Sequence, residues 1–334
     1  MRPLPVSDQL RPHKSRMRIR EYLIAGSLLF TGCQVRDSRT IAVIPETAGT
    51  RLWESVHVGT ELAGHQEGFE IYWNAPTRED DIEGQIALVD RAIQNRVGGI
   101  VLAPDHALAL LAVVHEAESD HIPVVVIHSP LAIPVGPNLA YVVNDDEAMG
   151  QLAADRMGKV LHGKGTVAMI GIDPSANGVL LRSQAFEKAL RSQFPGIVVV
   201  ERKSGSSNPA GSERAAAEAL EDHPELDGIV SFSVIASEGS WAAINALKKN
   251  GKVRLVGCDQ EIDLMAGIRH GDIDSILVEN TFEMGRLAVK WISDQKIGIA
   301  KPEYLRLLPI LVTKENIDDP SIQRILSNNW RVSP

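Results

Sequence analysis

Short apolar runs and amphipathic stretches alternate along this chain from Thr40 to Val312. Runs rich in Val and Ile predict strands at 40–44, 69–73, 99–102, 123–127, 166–170, 197–201, 228–231, 254–257, 275–278 and 307–312. Between them, apolar residues recur at helical spacing and predict helices at 52–66, 80–96, 107–120, 146–161, 178–194, 210–222, 236–250, 261–270 and 281–297. A run such as Val124-Val125-Val126-Ile127 has no polar alternation, as expected of a parallel strand covered on both faces. Strict strand–helix alternation argues for an α/β fold with a doubly wound parallel sheet. Ten strands are many for one sheet, and the alternation restarts after Tyr141-Val142-Val143-Asn144-Asp145-Asp146. The expectation is therefore two similar lobes.

The first forty residues follow another pattern. Arg16, Arg18 and Arg20 form a basic flank, an apolar core runs over 22–30, and Thr31 and Gly32 precede Cys33. Basic, apolar and small-residue blocks in that order make a secretory signal, too short to cross a bilayer as a helix. Leu28-Leu29-Phe30-Thr31-Gly32-Cys33 has the form of a lipoprotein cleavage box, which makes 1–32 a signal peptide, Cys33 the lipidated residue and 33–39 a tether. A plain buried N-terminal helix is the competing reading. Residues 1–16 add nothing to the signal, and a start at Met17 gives a compact one.

Charge narrows the function. Removing residues 1–32 takes six basic and two acidic residues, moving the formal net charge from −9 to −13. Nucleic acid requires clustered Lys and Arg, so it is a poor partner for this chain. With Cys33 lipidated only Cys258 is left, which gives no disulfide framework. No later apolar run approaches the roughly 20 residues of a membrane helix, so the lipid is the only membrane contact expected.

The stretch over 41–59, then VGGIVLAP at 97–104, HIPVVVIHS at 121–129 and VNDDEAMGQLAADRM at 143–157, resembles the type I periplasmic solute-binding proteins, in particular the ribose and monosaccharide group. LRSQAF at 181–186, DHPELDGIVSFS at 222–233, VRLVGCDQ at 253–260 and ENTFEMGR at 279–286 continue the match in order. The resemblance implies two doubly wound lobes joined by three crossovers, here near Asn144, Glu279 and Leu308, with the ligand in the cleft between them. One lobe would combine 40–143 with 280–308, the other 144–279 with 309–334. It also implies ligand positions. Thr50, Leu52 and Trp53 fall where sugar binders place a polar residue and two aromatics. His128 and Ser129 replace an Asp-Arg pair, Arg182 and Asp259 match the family's arginine and aspartate, Ser207 and Ser233 replace an aromatic and an asparagine, and Glu279 replaces a glutamine at the hinge.

Local chemistry weighs each of these separately. In the first helix Leu52, Val56, Gly59 and Ala63 make a core stripe, which leaves Trp53 on a polar flank, free to stack on a sugar ring; edge-of-core packing is the alternative. Arg182 offers a planar fork for hydroxyls or a carboxylate, against an ordinary solvated arginine; as an anchor, its loss should weaken binding and leave the fold stable. Asp259 is either a hydroxyl acceptor or a helix cap, and His128 either a ligand contact or a structural hydrogen-bonder. Glu279 touches ligand or only steadies the hinge. Cys258 reads as a small buried residue.

Several motifs fail. Gly158 to Lys164 spells G-x-x-x-x-G-K, but Gly165 follows and the run leads into a strand rather than a helix. There is no G-x-S-x-G elbow, no H-E-x-x-H and no histidine set at metal-ligand spacing. No catalysis, metal or cofactor is expected. What the resemblance implies is a monomeric, lipid-anchored protein of the periplasm or cell envelope, capturing a small polar ligand, a monosaccharide, for an ABC permease by hinge closure. Two alternatives share the core. One is a sensing module that presents its closed form to a chemoreceptor or membrane kinase. The other, a repressor of the lactose-repressor type, needs a basic helix-turn-helix where this chain has an apolar run and a cysteine.

Overall fold

The structure, a computed structural model, describes residues 39–326 apart from 49–50, 79–80, 175 and 205–207. The expectations for Cys33, Thr50 and Ser207 lie outside the described residues. Strands β1 (Thr40–Ile44), β2 (Glu70–Trp73), β3 (Gly99–Leu102), β4 (Val124–His128), β5 (Leu139–Asn144) and β11 (Tyr304–Leu307) form one sheet, in the order β11-β5-β4-β3-β1-β2. All its pairs are parallel. The second sheet takes β6 (Lys164–Ile172), β7 (Gly196–Ser204), β8 (Gly228–Ser231), β9 (Arg254–Cys258), β10 (Ser275–Val278) and β12 (Ile310–Thr313), in the order β12-β10-β9-β8-β6-β7. It is parallel except where β12 runs against β10. The two orders are the same when strands are counted from the start of each lobe.

Each sheet is covered on both faces, which is why its central strands, such as β3, β4 and β8, read as near-continuous apolar runs. In the first, Ala42 and Ile44 face α2 (Ile82–Gln94) and α3 (Leu111–Ser119), while Ile41 and Val43 face α1 (Arg51–Glu67) and α9 (Thr281–Lys296). In the second, Ala168 and Ile170 face α6 (Pro209–Asp222), α7 (Val234–Ala246) and α8 (Ile262–His270). Val167 and Met169 face α4 (Asp146–Val160) and α5 (Asn177–Gln193). Helices α1 and α9 meet backbone to backbone: a Cβ on Gly285 would stand 2.4 Å from the Val56 carbonyl oxygen. Gly150 makes the equivalent approach between α4 and α5, 2.2 Å from the Arg182 carbonyl oxygen.

The chain passes between the sheets after Asn144, between Val278 and Thr281, and at Leu308-Pro309. Three sequence expectations change. The single strand over 307–312 is two strands in different sheets, because Pro309 has no N–H for a ladder and the chain turns there. Leu139–Asn144 is a full strand, buried along its length, where the sequence suggested only a boundary. A tenth helix, α10 (Pro320–Leu326), follows the last strand. Trp53 also moves: it is 2% exposed and lies in the core with Val56 and Ala63. The buried face of α1 is wider than the stripe read from sequence, since the helix packs on both the sheet and α9, while Leu52 sits partly buried at its edge.

Candidate functional site

The carboxyl ends of both sheets converge on one polar cluster, the place where open α/β sheets present ligands. Glu46 lies two residues past β1, His128 ends β4, Asp146 opens α4, Arg182 sits in the second turn of α5, and Asp259 and Glu279 follow β9 and β10. Two features of the backbone aim these side chains. Asp145 caps α4 by accepting from the Ala148 N–H at 2.9 Å, which fixes Asp146 in the first turn. His128 and Asp259 leave their strands with φ of 66° and 64°. That left-handed region is uncommon outside glycine and is found at functional sites, where it re-aims a side chain.

Arg182 is the centre of the cluster and only 5% exposed. Its Nε donates to Asp146 Oδ1 at 2.6 Å and its Nη2 to Glu279 Oε1. Nη1 lies 3.4 Å from the Phe232 carbonyl oxygen and 3.9 Å from Asp259 Oδ2. This packing argues against the expectation that its loss would spare the fold, because Arg182 neutralises two buried carboxylates. His128 joins the other side: Nε2 is 3.2 Å from Glu279 Oε2, and Nδ1 is 3.3 Å from Glu46 Oε1 and 3.2 Å from Ser129 Oγ. The edge of its ring meets Trp53, with centroids 5.2 Å apart and planes at 70°. Trp53 thus backs His128 from the core and keeps little free face for stacking.

The electrostatics follow from this packing. Burial opposes ionisation of Glu279, but His128 and Arg182 outweigh it and hold the carboxyl down at about 2. Burial likewise penalises the His128 cation, yet Glu279 and then Glu46 carry its pKa well above the ordinary imidazole range. Asp259 goes the other way. Burial and then repulsion from Glu279 push it up to about 7, against the pull of Arg182 and His128. Its Oδ1 is buried without a hydrogen bond, as are both side-chain amide atoms of the neighbouring Gln260.

Of the residues read from sequence, His128, Arg182, Asp259 and Glu279 come together, with Ser129 beside His128. Ser233 caps α7, its Oγ accepting from the Ala236 N–H at 3.2 Å. Glu46 and Asp146 were missed. Glu46 follows an apolar strand in the same way as His128, and Asp146 lies in the Asn144-Asp145-Asp146 run that marks the start of the second lobe.

Two doubly wound lobes with a charged cluster at their carboxyl edges define a class of binding proteins. Residues 41–299 match the family model of the periplasmic binding protein domain, and the chain belongs to that family. It is 26% identical over 243 residues to a D-apiose import binding protein from Paraburkholderia graminis, a match covering 71% of this chain and 76% of the relative. A xylitol-binding protein from Mycolicibacterium smegmatis is 26% identical over 273 residues, 78% of this chain and 73% of the relative. Among solved structures, an ABC transporter solute-binding protein from Agrobacterium vitis with bound D-fucose superposes with a TM-score of 0.77 at 26% identity, covering 86% of this chain and 100% of that one. All three are named as binding proteins, and this chain is not an enzyme.

Proposed function

We propose that this protein is a lipid-anchored solute-binding protein of the cell envelope that captures a monosaccharide, or a small polyol of similar size, and delivers it to an ABC permease. The observation that carries this is the position of Glu279. It lies where the chain passes between the sheets, and its two carboxylate oxygens meet His128 of one lobe and Arg182 of the other. A ligand that bridges these groups favours the closed arrangement through contacts the open one lacks, as hinge closure requires. Sugar, polyol and pentose ligands in the names of the relatives support the ligand class.

In this reading the lobes are 40–143 with 280–308 and 144–279 with 309–334, and Cys33 carries the lipid. Arg182, Asp259, Glu279 and His128 hold the ligand's hydroxyls, with Glu46 added to the set. Leu52, Ser129 and Ser233 shape the rim, Trp53 supports the His128 ring, and Thr50 and Ser207 remain expected ligand contacts from the sequence alone.

The test is a thermal-shift screen of the purified protein against D-apiose, xylitol, D-fucose, D-arabinose and D-allose, with amino acids as controls. A ligand at a hundred times its Kd adds about 2.7 kcal/mol of stability. At least one sugar or polyol should raise the unfolding midpoint, compact the particle in small-angle scattering and be recovered unchanged. Shifts from amino acids alone would overturn the reading.

A further inference from the structure

The cleft holds more carboxylate than cation. One guanidinium, Arg182, faces Asp146, Glu279 and Asp259, and its close hydrogen bonds go to the first two. Asp259 is left with a contact of 3.9 Å to Nη1, which also lies 3.4 Å from a backbone carbonyl. Its second oxygen has no hydrogen bond at all. One imidazole, His128, is similarly divided between Glu46 and Glu279. Beside Asp259, the 9% exposed Gln260 keeps a donor and an acceptor without partners.

A buried anion needs a charged partner as well as hydrogen bonds. A neutral hydroxyl would give Asp259 Oδ1 its hydrogen bond and leave the negative charge with only the long contact to Arg182; an ammonium supplies both, in the stronger charge-assisted form. Building on the sugar-binding reading above, we propose that the cleft takes a cationic amino sugar, its ammonium seated against Asp259 and its hydroxyls against Glu46, His128 and Gln260. The raised pKa of Asp259 agrees with this: burial and repulsion from Glu279 outweigh the pull of Arg182 and His128 on its anion.

Calorimetry at pH 6.5 tests it on the unmodified protein. D-glucosamine, D-galactosamine and D-mannosamine are each titrated beside the neutral parent hexose and the N-acetyl derivative, which keeps the nitrogen and loses the charge. In at least one set the amine should bind ten times or more tighter than both, a difference of about 1.4 kcal/mol. Asp259→Asn should bring that set to within about threefold. If in every set the parent or N-acetyl sugar binds as well as the amine, or if only the neutral sugars of the thermal screen bind, the amino-sugar assignment is overturned and the sugar-binding reading stands. If no sugar of either kind binds, both are overturned.

Discussion

His128 and Asp259 occupy the same position in the two lobes. Strand pairing sets Val124 beside Ile100 and Leu255 beside Ile229, so β4 and β9 are in step, and four residues later each chain turns with φ near 65°. At that shared position one lobe places a base and the other an acid, and Glu279 raises the pKa of both. The duplication extends to the helices. Val56 of α1 and Arg182 of α5 present their carbonyls to the equivalent glycines, Gly285 and Gly150. Where the first lobe has an apolar Val56, the second has the arginine that organises the cluster.

Arg182 follows as the most costly residue of the site to remove. Truncation leaves Asp146 and Glu279 buried without their guanidinium, and breaking a buried ion pair costs about 3–5 kcal/mol. Arg182→Ala should lower the unfolding free energy by that amount in urea denaturation without ligand. A variant within 1 kcal/mol of the parent, on the order of the value of an exposed ion pair, would show that water replaces the guanidinium.

Asp259 predicts the opposite effect, with a defined pH window. Its pKa is about 7 in the folded protein against 3.8 ordinarily, so any stability it contributes is present below pH 3.8 and lost as pH rises to 7. Above 7 its ionised form is a full cost. Asp259→Asn should raise the melting temperature at pH 8 and match the parent closely at pH 4. Asparagine accepts the left-handed backbone, so the turn itself is undisturbed. A variant that melts lower than the parent at pH 8 would contradict this account.

Gly285 predicts a packing effect remote from the ligand. An added methyl would stand 2.4 Å from the Val56 carbonyl and 3.1 Å from the Thr60 nitrogen, both backbone atoms that cannot swing aside. Overpacking of this kind costs about 1–3 kcal/mol. Gly285→Ala and Gly150→Ala should each destabilise by that amount in denaturant titrations, whereas near-neutral behaviour of both would show that the helix pairs slide apart freely.

Much of the fold was legible because burial on both faces writes itself as unbroken apolar runs. Gly99–Leu102, Gly228–Ser231 and Ser275–Val278 were read with their observed bounds. The last strands were not separable, since Leu307 and Ile310 belong to different sheets and only pairing reveals it. Trp53 misled because helical periodicity sees one packing surface and α1 has two. At the site, Arg182 and Asp259 stood out beside their strands and loops. Glu46 and Asp146 emerge only when strand ends far apart in sequence are brought to one edge.

Cys33 is expected to carry the lipid, on the order of basic, apolar and small residues before it. Mass spectrometry of the membrane fraction should find an acylated N-terminus beginning at Cys33, lost in Cys33→Ser. Protein with residues 1–32 intact in the soluble fraction would rule this out.

Glu46 and His128 give the most direct probe of the cluster's charge. His128 is held protonated by Glu279 and Glu46 against burial, its pKa well above 6.5. A base raised in this way contributes stability that is fully present below pH 6.5 and is lost as pH rises through its folded pKa. Imidazole resonances of His128 should therefore show no deprotonation at pH 7. Glu46→Gln removes one of the two carboxylates that hold the proton and should lower the midpoint, with Glu279 left as the larger contributor. The parent should also lose stability on the alkaline side, and His128→Ala should lose less over the same range. A His128 resonance that titrates near 6.5 in the parent would mean the imidazole is neutral in the cluster. Glu279 would then depend on Arg182 alone, and the ionic link from the first lobe to the second would not exist.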